Sequence, residues 1–257
     1  MTKTANIDKR NMERGFSLIE LMIAMSLGLI LIGGVVNLFL ASSQTYRLQE
    51  SMFRVQESGR FALDFMLRDL RDAGFQNLLP ENSSRNTNIT AVQGFAVGTV
   101  PGDLPAGPPE GPAQGLPGRV VAGVTSEILS IWANAANSGG GVAYYVAPDA
   151  GGQRALFRNT NAIVEGVENV AFTYGVDTNS DREPDAYLGV AAVGASQWSD
   201  VVAVRISFLV ASNDAGVVEQ AQAAPAPFNA APYTVITTDR RLYQVYTTTV
   251  ALRNKMP

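Results

Sequence analysis

Hydrophobic and polar positions divide the chain into stretches with different periods. Residues 16–41 are 26 positions whose single charge is Glu20. As a helix they span about 39 Å, enough to cross a bilayer core of about 30 Å with some tilt. Beyond them the apolar positions narrow to a stripe. Leu48, Met52, Val55, Ala62, Leu63, Met66, Leu70 and Ala73 recur at helical spacing, the mark of an amphipathic helix. Gly59 falls on that stripe, where it admits a close neighbour or simply weakens the helix. The opposite face carries Glu50 before Arg54 and Asp64 before Arg68, each acid four residues ahead of its base, the favourable order. Gly74 is a helix stop. The pattern therefore predicts one helix over residues 16–73, 58 residues and about 87 Å long, apolar all round at first and amphipathic afterwards.

The period then changes. Residues 76–118 read as one long surface loop, because 101–118 holds six prolines and five glycines. From residue 119 onward, short runs rich in β-formers are separated by Gly, Asn and Ser clusters: 120–121, 128–132, 142–146 and 155–157. In residues 167–176, Val170, Phe172, Tyr174 and Val176 alternate, predicting one apolar face. Residues 201–210 and 241–252 are the longest strand candidates. Hairpins of this kind imply a mostly antiparallel sheet. With an amphipathic helix laid on it, the fold class is α+β, residues 42–257 forming one body with a β-rich head over 119–257.

Charge places the first helix half. Lys3, Lys9, Arg10 and Arg14 precede the apolar run and none lies within it, which sets the N-terminus on the cytoplasmic side and the remainder outside. Residues 1–15 are polar and read as a leader of net charge +2, leaving −6 of the total −4 on the rest. An acidic body without a basic stripe argues against nucleic-acid binding. The chain has no cysteine and no histidine. Disulfides, thiolate and imidazole metal sites, and nucleophilic sites that use a His base are thereby removed, so an enzyme is not expected. Trp132, Tyr144, Tyr145, Trp198, Tyr243 and Tyr246 stand in or beside strand patterns and read as core.

Glu20 distinguishes the possible kinds of N-terminal segment. A secretory signal has an apolar region of about 7–15 residues, shorter than this one, although Ala41-Ser42-Ser43 weakly imitates a cleavage site. A plain anchor fits the length but gives no reason for a carboxylate, which costs about 2.5–3.5 kcal/mol at the centre of a membrane helix and less near its end, where the helix dipole helps.

Residues 14–23, RGFSLIELMI, resemble the class III signal of type IV pilins and pseudopilins. The resemblance implies a pilin-like fold and a cut by prepilin peptidase between Gly15 and Phe16, with N-methylation of Phe16. It also implies that Glu20 pairs with the N-terminal amine of a neighbouring subunit during assembly. A buried carboxylate needs such a partner. The stretches FALDFMLRDLRDAGF (61–75), VAFTYGVDTNSD (170–181) and RRLYQVYTTTVALRN (240–254) resemble PilW-type minor pilins. That implies a subunit which primes type IV pilus assembly within a minor-pilin complex and sits at the tip, serving twitching motility and adhesion. Its implied partners are other minor pilins, the major pilin and the inner-membrane assembly platform. A J-type minor pseudopilin of type II secretion shares much of this layout, and a tip adhesin using the 76–118 loop or an acidic turn is a further alternative.

That acidic turn is Asp177-Thr-Asn179-Ser-Asp181-Arg-Glu183-Pro-Asp185. Oxygen side chains at alternate positions match the first part of an EF-hand-like loop and make Ca2+ a candidate ligand. Arg182 stands where such loops carry Gly, and Leu188 where they carry a bidentate Glu. The plain alternative is a solvated turn between strands.

Overall fold

One α-helix, α1, runs unbroken over Leu18–Asp72 in the computed structural model, which describes residues 16–75, 90–99, 120–132, 141–233 and 238–255. The helix starts two residues later than its periodicity suggests, because Ser17 caps it. The Ser17 carbonyl accepts from the Glu20 and Leu21 amides at 3.0 and 3.1 Å. It stops as expected at Gly74, whose φ of +71° is the left-handed conformation that glycine adopts freely. The Gly74 amide donates to the Trp132 carbonyl at 2.8 Å, and the Asn254 side chain donates to the Ala73 carbonyl at 3.0 Å. The helix end is thus tied to two distant segments.

The chain forms two compact units, residues 1–47 and 48–257. In the first, α1 presents its apolar side chains outward on every side: Leu18 is 78% exposed, Ile30 73% and Phe39 71%.

In the second unit α1 buries Val55, Gly59, Ala62, Met66 and Leu70, much as the stripe predicts. Met52 departs from it, being exposed while Ser51 is buried. Positions 51 and 52 lie about 100° apart on opposite flanks of the stripe, and burial falls on the flank of Ser51.

Two antiparallel sheets surround this face. The first has the order β1-β2-β3-β4-β5, formed by Val92–Phe95, Ile128–Ile131, Val142–Pro148, Arg154–Arg158 and Asn161–Glu165. The second has the order β7-β6-β8-β9, formed by Ala186–Gly189, Val167–Val176, Val201–Ala211 and Tyr243–Ala251. Met66 and Leu70 share one core with Leu129 and Tyr144 of the first sheet and Phe172 and Phe208 of the second.

Several expectations are corrected. Residues 92–95 are not loop: β1 pairs with β2, Val92 opposite Ile131 and Phe95 opposite Ile128. Gly94 lets this strand lie against the second sheet, since a Cβ there would overlap the hydroxyl of Tyr174. The Pro/Gly run 101–118 lies outside the described residues. Residues 120–121 form no strand; the Val121 amide instead donates to the Tyr145 hydroxyl at 2.9 Å. β6 is buried on both faces rather than one. Its outer side is covered because Ala171 packs with Leu209, Phe228 and Tyr243 in a separate cluster.

A polar clamp joins α1 to the first sheet. Arg158 on β4 grips Asp69 with both arms, Nε at 2.7 Å and the second nitrogen at 3.3 Å. The Tyr144 hydroxyl donates to the same carboxylate at 2.6 Å. Gly59 makes the corresponding apolar contact with the second sheet, because the ring of Tyr246 on β9 occupies the space of a side chain at that position. Gly59→Leu should therefore destabilise the head by about 1–3 kcal/mol through overpacking, despite the better helix propensity of Leu. Thermal denaturation checks this, with Tyr246→Ala in the same chain expected to restore most of the loss.

Candidate functional site

The start of α1 carries the first group of site residues. Gly15 and the leader lie outside the described residues. Phe16 is 84% exposed, one position before the Ser17 cap. Glu20 lies in the first turn of α1, where the unpaired amides and the positive end of the helix dipole favour an anion. No ion pair or side-chain hydrogen bond holds Glu20 among the described residues.

The hydroxyls of this half behave otherwise. Ser26 donates to the Met22 carbonyl at 2.8 Å, Ser43 to Leu40 at 2.8 Å and Thr45 to Ala41 at 3.0 Å. These polar groups are satisfied within the helix itself, and Glu20 is left as a charge with no partner among the described residues. α1 is long and apolar enough to cross a membrane.

The second group is the 177–185 turn between β6 and β7, which the structure does bring together. Its oxygens bond their own backbone. Asp177 Oδ1 accepts from the Ser180 amide at 2.7 Å and Oδ2 from the Arg182 amide at 2.7 Å. Asn179 Oδ1 accepts from the Asp181 amide at 2.9 Å, and Asp181 Oδ1 from the Glu183 amide at 2.8 Å. Asp185 Oδ2 accepts from the Thr178 hydroxyl at 2.6 Å and its amide at 2.7 Å, which lowers the Asp185 pKa below the usual carboxylate range. Ser180 and Arg182 turn the chain with φ of +66° and +70°, so Arg182 takes the backbone conformation for which a glycine would be expected. No group of three or more His, Cys, Asp or Glu is gathered to hold a metal ion among the described residues.

Glu127 is a site residue that sequence patterns do not reveal. It is 4% exposed just before β2, with no ion pair among the described residues. Its Oε2 accepts from the Phe172 amide of β6 at 2.8 Å, and its Oε1 from the Tyr233 hydroxyl at 3.1 Å, so it bridges the two sheets. Burial raises its pKa, more than the two hydrogen bonds lower it. No periodic rule places an acid there. Glu168 is its paired counterpart: Arg241 reaches it at 2.5 Å and Arg154 at 3.6 Å.

Two family models match parts of the chain. The family model for type IV pilus-assembly protein W matches residues 143–254, from β3 to the last turn. The model for the prokaryotic N-terminal methylation motif matches residues 10–36. Among solved structures, a type IV-like pilin of Thermus thermophilus matches with 14% identity and a TM-score of 0.42, over 79% of this chain and 100% of that one. The curated proteins returned no match.

Two outcomes are expected. Asp177→Ala removes the acceptor of three amides and should cost about 1–3 kcal/mol, equally in calcium and in chelator, as read by thermal denaturation in both buffers. For Glu127, the folded-state pKa lies above the unfolded one. Its contribution is therefore fully present below the unfolded pKa and is lost as pH rises through the folded pKa. Glu127→Gln should flatten the fall in melting temperature over that window, measured against the parent chain.

Proposed function

We propose that this chain, which belongs to the type IV pilin and pseudopilin superfamily and is most like a PilW-type minor pilin, is a structural subunit that primes pilus assembly. The observation that carries the reading is the first half of α1, apolar on every side and uncovered by the other described residues, with one carboxylate in its first turn that has no partner among them. The subunit waits in the inner membrane with its head on the periplasmic side. Prepilin peptidase cuts between Gly15 and Phe16 and methylates Phe16. The subunit then joins other minor pilins in a short complex ahead of the major pilin and stays at the fibre tip.

Assembly exchanges lipid contacts for helix contacts. That exchange has little net hydrophobic gain, since lipid tails are as apolar as leucine. Register must come from something directional, and Glu20 supplies it. An isolated carboxylate in an apolar fibre core is costly, whereas the new amine of a neighbouring Phe16-type terminus offers an opposite charge at the same level. The subunit acts by packing and pairing, and performs no reaction of its own.

Mass spectrometry of the mature protein should find N-methylated Phe16. Glu20→Ala should insert and be processed as before, yet reduce surface pili by about tenfold or more, as losing about 1.4 kcal/mol per contact would. Normal piliation in that variant would remove the mechanism. Deleting the gene should lower piliation and leave exoprotein secretion intact; the reverse would assign the subunit to type II secretion.

A further inference from the structure

A cleft of about 370 Å3 opens in the 48–257 unit between α1, β5 and the turn that follows β8. Its volume falls in the range of about 300–1,000 Å3 usual for ligand clefts. One wall is α1, with Arg54, Val55, Ser58 and Phe61; the opposite wall is residues 162–165 of β5. Side chains alternate across a strand, so four consecutive residues line one cleft only when the strand turns its backbone edge toward it.

That edge is free. β5 ends its sheet, paired with β4 on one side alone, and alternate amides and carbonyls of such a strand point outward without a strand partner. A bulge leaves Ile163 without a residue opposite on β4. Proteins commonly blunt such edges with charge or a cover, but here the covering helix stands off and leaves a gap.

The cleft is also charged in one sense. Glu57, Glu165 and Asp214 line it against a single base, Arg54, and Arg54 is already bridged to Glu50 at 2.8 Å. None of those three carboxylates is ion-paired among the described residues. Phe61, 52% exposed, adds an apolar surface at the same place.

We propose that this cleft receives an extended segment of a neighbouring subunit, which adds as a strand to the free edge of β5 and places a lysine or arginine among Glu57, Glu165 and Asp214. Backbone hydrogen bonds to β5 supply affinity and alternate side chains supply selectivity, the general pattern of strand addition. The choice of a neighbouring subunit as donor rests on the pilin reading; the chemistry of the cleft does not. Serine at position 58 keeps the cleft open.

The experiment uses the full chain in detergent micelles and a short extended peptide of alternating valine and lysine, with a valine–glutamate peptide as its counterpart. The lysine peptide should bind at least about tenfold more tightly, a difference of about 1.4 kcal/mol, and should slow amide hydrogen exchange at residues 161–165. Ser58→Trp, which fills the cleft, and the double variant Glu165→Lys with Asp214→Lys should each abolish binding while melting as the parent does. Absent binding, equal affinity for both peptides, or unchanged exchange at 161–165 overturns the proposal. Binding that survives the charge reversal in a folded protein overturns it as well, so a misfolded Ser58→Trp does not decide the matter. Failure here, with N-methylated Phe16 and the Glu20 phenotype intact, removes the cleft and not the pilin reading.

Discussion

A helix that is apolar on every side has no stable place in water, and this constraint governs the chain. The first half of α1 exposes Leu18, Ile30 and Phe39 alike, so no rotation of the helix hides its surface. Lipid or other helices must cover it. The same hydrogen-bond ladder then continues without a break into residues whose stripe is core. One element thus supplies both a surface that the other described residues leave bare and the face around which two sheets fold. The second role limits the first: the helix must be long, and its amphipathic end must be held firmly enough that covering the apolar half does not pull it from the head.

Three unlike contacts hold that end. Tyr246 packs into the space left by Gly59, Asp69 is gripped by Arg158 and Tyr144, and Gly74 hands its amide to Trp132. The ion pair alone is weak support for stability, because desolvation offsets much of the attraction when charges leave water. Its value is directional. Two arms of a guanidinium and one phenol fix where along α1 the β3–β4 hairpin sits. The glycine contact has the opposite character, being steric and intolerant of any larger side chain.

Long periodic elements were legible in the sequence, as were the short apolar runs of β2, β3 and β4, whereas β1 and β5 were not. α1 was readable to within a few residues because its stripe repeats over many turns. β6 and β8 were readable because they run to ten and eleven residues rich in Val, Ile, Phe and Tyr. β1 and β5 have four and five residues, without alternation, and only their pairing partners make them strands. Gly59 could be marked as unusual, but nothing local names Tyr246 as its neighbour. Glu20 was legible for a different reason, since a charge in an apolar run is conspicuous whatever the fold. The 177–185 turn shows the limit of spacing. Alternate oxygens were correctly located, but spacing did not show the positive φ values at Ser180 and Arg182 or the hydrogen bonds these oxygens accept from the turn's own amides and from the Thr178 and Asn179 side chains.

Unsatisfied groups divide into two kinds, and the division separates packing from recognition. Gln93 Oε1, Ser130 Oγ and Trp132 Nε1 are buried without hydrogen-bond partners among the described residues, with Gln93 directly opposite Ser130 in the β1–β2 ladder. Buried orphans of this sort cost about 1–3 kcal/mol each unless water reaches them, and they are a burden that the core must outweigh. Glu20 and the three cleft carboxylates carry no such cost while water or a membrane surface bathes them. Their penalty begins only when another molecule covers them with nothing to pair, and it vanishes when the cover brings a cation. On the proposed function, a subunit covered on several sides needs such conditional groups. They leave the separate protein undisturbed and make incorrect contacts expensive, so the identity of a neighbour is tested by charge before it is rewarded by packing.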